Sequence, residues 1–337
     1  MIAGGVESGE LSPHSALLIR FPAAGKDSFG KVLINLTTDF APIQLTGYLV
    51  DAAHIKLIES DNSAGAGFGA TAGVAIGQGS ATGTFTSNSS FSGKYVFGIF
   101  GQDLGFGPSS LASAGMFTAD GKGNLTGGFL DEFQSGLFVQ VSDRFHGTYT
   151  VDPAGSGRVD TNSSITFANP NNGTGPEFVF YLTGNGNPPL ILDADVEPSL
   201  GGGGLGTGVV YPAVAGASFS GQYGLSFTQN FFGSEADGTG QMTVDTTAHT
   251  LSGILDTNAS FFAQPNTPLT GSFQTTAISG RLTGTLSNEL FPTDLAVAYY
   301  LIDSDHGFFV ETDSLDIGGS LSFGYFARRS PVCQGCP

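Results

Sequence analysis

The chain reads as an all-β protein of tandem antiparallel up-and-down β-barrel modules, with sandwich modules as the alternative, and three observations predict this. Short β-branched and aromatic runs alternate with a period of two, glycine-containing turn phrases punctuate them, and no amphipathic stretch of helical length occurs. A meander of short strands must close on itself or pack against a second sheet to cover its edges. Consecutive hairpins without a long crossover favour closure into a barrel.

The modules are marked by phrases that return in the same order. Ser90-Phe91-Ser92-Gly93-Lys94-Tyr95 recurs as Ser218-Phe219-Ser220-Gly221-Gln222-Tyr223, and Gly115, Thr118, Asp120, Gly128, Leu130 and Asp131 match Gly240, Thr243, Asp245, Gly253, Leu255 and Asp256 without a gap. Gly157-Arg158 is echoed by Gly280-Arg281. A third phrase, Tyr48-Leu49-Val50-Asp51 with His54, Glu59 and Asp61, aligns on Tyr300-Leu301-Ile302-Asp303 with His306, Glu311 and Asp313; its middle version is Tyr181-Leu182 with Asp193 and Asp195. The expected organisation is a partial module over 1–81 that holds only a second half, complete modules over 82–213 and 214–331, and a Cys-containing tail over 332–337.

Within 82–213 the strand signals run in order through Tyr95 to Phe100, Met116 to Ala119, Phe138 to Val141, Thr148 to Val151 and Phe178 to Leu182. Asp120-Gly121, Gly155-Ser156-Gly157 and Asn185-Gly186-Asn187 between them offer the positive φ of tight turns. The Gly201 to Gly204 run reads as a flexible hairpin loop before the last strand.

Composition narrows the function. Only 11 Lys and Arg stand against 29 Asp and Glu in 337 residues, a net charge of -18, so no basic face is available for nucleic acid. A 40% apolar content with 29 Phe implies packed cores rather than disorder. The apolar run Leu295 to Ile302 is far shorter than the roughly 20 residues of a membrane helix, so no membrane span is expected. Met1 to Gly5 carries no signal-like pattern, which places any secretion signal outside this sequence. No Lys or Arg lies between Arg158 and Arg281, which denies trypsin-like proteases a site there and suits an extracellular location.

S-F-S-G-x-Y, G-x-F-T-A-D-G-x-G-x-L-T-G-G, G-T-Y-T-V-D and Y-L-V-D-A-x-H-I-K-L-I-E-x-D, taken together, resemble the Gly/Thr-rich β-repeat units of secreted or surface-attached proteins of soil bacteria, notably acidobacterial ones. The resemblance implies export and a modular surface role, and it assigns no catalytic residue. It weakens over Gly240 to Asp256 and in the tail.

Candidate chemistry is sparse. His54 and His306 share one repeated hairpin position, which a turn role explains; His14, His146 and His249 form no motif. The repeated acids Asp51 with Glu59 and Asp61, and Asp303 with Glu311 and Asp313, are candidates for the carboxylate pair of a glycoside hydrolase, with Glu59 and Asp61 on one strand face, but their recurrence, with Asp193 and Asp195, suggests a solvated polar face. Asp120-Gly121-Lys122-Gly123-Asn124 places oxygens as some calcium loops do, yet Lys122 and the missing distal Glu favour a plain hairpin turn. Asp303, Asp305, Asp313 and Asp316 are candidates for weak divalent-ion binding, and Cys333 with Cys336 for a tail disulfide. Phe91, Phe97, Phe100 and Phe117 read as interior filling, and without Trp no sugar-binding platform is expected. The sequons at Asn35, Asn88, Asn124, Asn162, Asn172 and Asn258 are at chance density.

The expectation is a non-catalytic extracellular structural or adhesive protein that needs no cofactor and self-assembles into an appendage or filament through unpaired strands at 16–38. The alternative is a barrel that binds a small apolar ligand in an internal cavity of about 300 Å³ or more. A carboxylate-based hydrolase is the third reading.

Overall fold

The computed structural model describes residues 30–37, 42–60, 72–103, 109–134, 138–169, 175–194, 204–231, 234–259, 262–289, 294–313 and 321–329. Among them there is no α-helix, and every strand pairs antiparallel. The chain forms two compact units: 1–86 with 153–158 and 182–187, and the remainder. Asp61, Asp195, Asp316, Asn172, His14, Cys333, Cys336 and most of the edge expected at 16–38 lie outside the described residues.

The first unit carries a four-stranded sheet in the order β1 (Lys31–Thr37), β2 (Pro42–Leu49), β3 (His54–Glu59) and β4 (Ala72–Ile76). Alternation sends Val32, Ile34 and Leu45 to one face, where Leu49 and Leu57 pack on them. The opposite face presents Leu33, Tyr48 and Ile58 to solvent, each about half exposed. The Gln78 side-chain amide donates to the carbonyls of Ser156 and Leu182 at 2.7 and 2.8 Å and ties the three segments of this unit together.

In the second unit, β5 (Ser92–Asp103), β6 (Ser109–Asp120), β7 (Asn124–Gln134), β8 (Phe138–Thr148), β9 (Thr150–Val151), β10 (Arg158–Asp160), β11 (Thr166–Phe167), β12 (Phe178–Tyr181), β13 (Leu190–Asp193) and β14 (Gly204–Pro212) form a ten-stranded sheet. Its order is β11-β8-β7-β6-β5-β14-β13-β12-β10-β9. β8, next to the edge strand β11, continues through Tyr149 into β9 at the opposite edge of this sheet. The interior of this curl is aromatic: Phe91 stacks on Tyr95 at 4.8 Å and packs against Phe117, Tyr149 and Phe180.

The remaining strands, β15 (Gly221–Phe231), β16 (Ser234–Asp245), β17 (Thr250–Ala259), β18 (Phe262–Thr275), β19 (Arg281–Asn288), β20 (Leu295–Leu301), β21 (His306–Glu311) and β22 (Leu321–Arg328), close into an eight-stranded barrel in sequence order. Closure removes the unpaired edges, and a sandwich does not form here. Gly238 and Gly324 make room for rings on neighbouring strands: a Cβ at either position would fall 2.2 to 2.3 Å from Phe227 or Phe309. The Ser218–Tyr223 phrase brings Phe219 to the end of the barrel where β15 begins, in ring contact with Tyr223, Phe273, Tyr299 and Phe326. That end is plugged.

The outer face of β20 and β21 packs on the outer face of β5 to β7, joining Ala298, Tyr300, Phe308 and Val310 to Val96, Met116 and Phe129. Gly98 permits the approach, because a Cβ there would lie 2.8 Å from Phe323 and 2.9 Å from Phe308. Phe100, expected inside a barrel, instead belongs to this joint, its ring centroid 6.2 Å from that of Phe323.

Candidate functional site: the polar end of the closed barrel

The plugged barrel has a different character at its other end. Inward positions of β15 read Tyr223, Leu225, Phe227 and then Gln229, and those of β17 read Leu251, Leu255 and then Thr257. On β18, running the opposite way, Phe273 and Leu269 are followed toward this end by Thr267; on β19, Leu282 and Leu286 lead to Asn288. β21 passes from Phe309 to Glu311, and β22 from Phe326 to Ser322. Antiparallel alternation puts all six changes from apolar to polar at one end, so an aromatic and aliphatic core is capped by a polar layer.

Asn288 donates from its amide to Thr267 Oγ1 at 3.0 Å and to the Pro268 carbonyl at 2.7 Å, and Thr267 donates to the Leu255 carbonyl. Gln229 and Ser322 are register partners across β15 and β22. The hydroxyls of Thr257 and Ser322 are buried without a hydrogen-bond partner among the described residues, an arrangement that costs about 1–3 kcal/mol per group. Beneath it the apolar side chains of Leu255, Leu269, Leu295, Tyr299 and Phe326 are essentially excluded from solvent.

The repeated acids do not form the solvated face expected of them. Glu311 is 0% and Asp193 2% exposed. Each is the last residue of its strand, as Glu59 is of β3, and only the half-buried Glu59 keeps substantial contact with solvent. A period of two assigns such residues to one face without saying which face is inside.

The other sequence-derived candidates take up local roles. Asp303 accepts from the backbone N–H of Asp305 and His306 and contacts His306 Nδ1 at 3.0 Å; Asp51 does the same for Ala53 and His54. Backbone donation from Ala53, then the His54 ring, holds the Asp51 carboxyl below its ordinary pKa. Asp305 pairs with Arg328 at 2.6 Å, and Asp313 accepts from the Ala296 N–H. Asp303 and Asp313 flank the six residues of β21, about 20 Å of strand, so these two candidate ion ligands do not meet. No group of three His, Cys, Asp or Glu suited to a metal occurs among the described residues. Asp120 receives N–H bonds from Lys122 and Asn124, and the Asn124 amide, followed by these, lowers its pKa to about 2.

Sequence reasoning missed a second buried polar group. Arg281 Nε and Nη2 donate to the two carboxylate oxygens of Asp131 at 2.6 and 2.9 Å, and the Tyr300 hydroxyl donates to the same carboxylate at 2.5 Å. Burial and then the Asp131 charge push the Tyr300 phenol well above its ordinary pKa, so it stays a donor. Asp131 and Arg281 belonged to separate repeated phrases, and nothing in their spacing pairs them. A surface groove of about 380 Å³ also lies on the outer side of β15 to β17, lined by Gln222, Gln241, Thr243, Ser252, Ile254 and Arg329 among others. No helix among the described residues is long and apolar enough to cross a membrane.

No protein-family model matches the chain, and no curated protein matches its sequence. Solved structures that match the chain include kievitone hydratase from Nectria haematococca, 9% identical over 75% of this chain and 97% of that one with a TM-score of 0.25. A candidate AttH from Nitrosomonas europaea is 10% identical over 73% and 95% of the two chains with a TM-score of 0.24, and a protein of unknown function from Nostoc punctiforme is 10% identical over 74% and 99% with a TM-score of 0.19. Likenesses this distant speak to neither activity nor partner.

Proposed function

We propose that this chain is a non-catalytic structural or adhesive protein of a cell surface, built from solid β modules that associate with one another. The observation that supports the reading is the aromatic plug at one end of the barrel: among the described residues, Phe219, Tyr223, Phe273, Tyr299 and Phe326 interlock where a ligand-binding barrel of this strand number would open a chamber. The scarcity of Lys and Arg supports an extracellular location, since it leaves few sites for trypsin-like proteases. Electron microscopy of the purified chain at rising concentration, with immunolabelling of producing cells, tests the proposal. Ordered assemblies and surface label are expected; monomers throughout, with label confined to the cell interior, overturn it.

A second reading has its own observation. The unpartnered Thr257 and Ser322 hydroxyls in a polar layer support a small polar, hydroxyl-rich ligand at that end, in place of the apolar ligand a hollow barrel would take. Thermal-shift screening against simple sugars and polyols tests it, and no stabilisation by any of them removes it.

A further inference from the structure

One hydrogen bond recurs at three places. A glycine with positive φ accepts, through its carbonyl, from the backbone N–H of a leucine: Leu49 to Gly30 at 3.0 Å, Leu182 to Gly157 at 2.8 Å and Leu301 to Gly280 at 2.8 Å. Each glycine precedes a basic residue, Lys31, Arg158 or Arg281, and each leucine follows a tyrosine, Tyr48, Tyr181 or Tyr300. Strand register completes the match at the two ends of the chain, where Lys31 lies opposite Tyr48 just as Arg281 lies opposite Tyr300. The face of β1 to β3 that bears Lys31, Tyr48 and Ile58 therefore corresponds to the face of β19 to β21 that bears Arg281, Tyr300 and Val310.

The second of these faces is occupied. Arg281 and Tyr300 converge on Asp131, while Ala298, Tyr300, Phe308 and Val310 cover β5 to β7. Among the described residues the first leaves four apolar side chains open to solvent, with Leu33 56%, Tyr48 48%, Val50 60% and Ile58 49% exposed. The receiving face has a counterpart too. By the gap-free match of β6 and β7 to β16 and β17, Met116 corresponds to Gln241, Phe129 to Ile254 and Asp131 to Asp256. Those positions are exposed on the barrel, Ile254 at 44%, and Gln241 and Ile254 line the 380 Å³ groove. In the occupied joint, Lys94 at the position of Gln222 donates to the Ser279 carbonyl, and Met116 comes within 3.5 Å of a Cβ built on Gly280. The groove thus lies where the turn before a docking strand sits.

Resting on the structural reading above, we propose that the β1–β3 face of one chain docks on the β15–β17 face of a second copy, repeating the joint between β19–β21 and β5–β7. Lys31 and Tyr48 then take up Asp256 as Arg281 and Tyr300 take up Asp131, and the turn at Gly30 enters the groove. Size and charge agree. Ser226 stands at the position of Gly98, where the occupied joint admits the large rings of Phe308 and Phe323; the corresponding residues of the bare face are Lys56 and Ala72, a flexible chain and a small one. The bare face brings Lys31 and Lys56 to a surface that carries Asp237 and Asp256. The two faces differ, so the contact is heterologous and propagates head to tail.

Sedimentation velocity across a concentration series tests this. Wild-type chain is expected to form a ladder of oligomers, and Tyr48→Asp or Ile254→Asp to raise the concentration required at least tenfold while the circular dichroism and melting profile stay those of the wild type. Lys31→Asp and Asp256→Lys are each expected to weaken assembly, and the chain carrying both to recover it. Oligomers that persist undiminished in all single variants overturn this interface and leave the structural reading standing. A monomer at every concentration overturns both.

Discussion

Arg281 and Asp131, 150 positions apart in sequence, form a two-pronged ion pair in which the side chains are 3% and 0% exposed. The pair joins the closed barrel to the ten-stranded sheet, and Tyr300 completes it. Neither charge has water to fall back on. Such a pair adds little over a well-packed apolar replacement, but removal of one partner strands the other.

Asp131→Asn leaves the Arg281 charge buried and unbalanced. A loss of about 3–5 kcal/mol in urea unfolding is expected. The double change Asp131→Leu with Arg281→Met is expected to restore most of it, and a single variant within 1 kcal/mol of wild type contradicts the account.

Phe219 touches four rings at the plugged end of the barrel, with centroids 5.2 to 5.4 Å away. Phe219→Ala empties that position. A cost of about 3–5 kcal/mol is expected by calorimetry, along with greater protease sensitivity before Tyr223.

Thr257 carries a buried hydroxyl without a partner among the described residues. Thr257→Val keeps its shape and removes the unpaired group. Stabilisation by about 1 kcal/mol is expected in thermal melts. A marked destabilisation would show that the hydroxyl is satisfied by a molecule held at the polar end.

Asp120 has its pKa held at about 2 by the Asn124 side chain and by N–H groups of the turn. Its folded pKa is depressed, so the turn contributes stability above the unfolded carboxyl's titration near pH 4, and that contribution fades as pH falls toward 2. Carbon-detected NMR titration is expected to show the low value in the wild type and a return toward 3.8 in Asn124→Ala.

The all-β class was legible because period-two runs and Asp-Gly or Gly-x-Gly turns are local signals, and Asp120 with Gly121 forms the turn its sequence implies. Closure was less legible, since it depends on how strands stagger around a ring and no single strand records that. The sign of the faces was hidden too: Glu311 and Asp193 read as surface acids, and both are buried. Phe100 read as filling for its own module, yet it meets Phe323 of another. The polar layer did leave a trace, for the inward series on β15, β17 and β19 each turn polar at Gln229, Thr257 and Asn288. That trace becomes visible only when strand direction is known.

The distance in sequence between Asp131 and Arg281 also sets a clock. At about 5–20 residues per second, a ribosome needs roughly 8 to 30 seconds after making the carboxylate before it delivers the guanidinium. Through that interval the sheet lacks the barrel face that covers Met116, Phe129 and Asp131 in the finished protein. A holding chaperone that recognises such a half-built surface would find its substrate in the growing chain and lose it once the barrel closes.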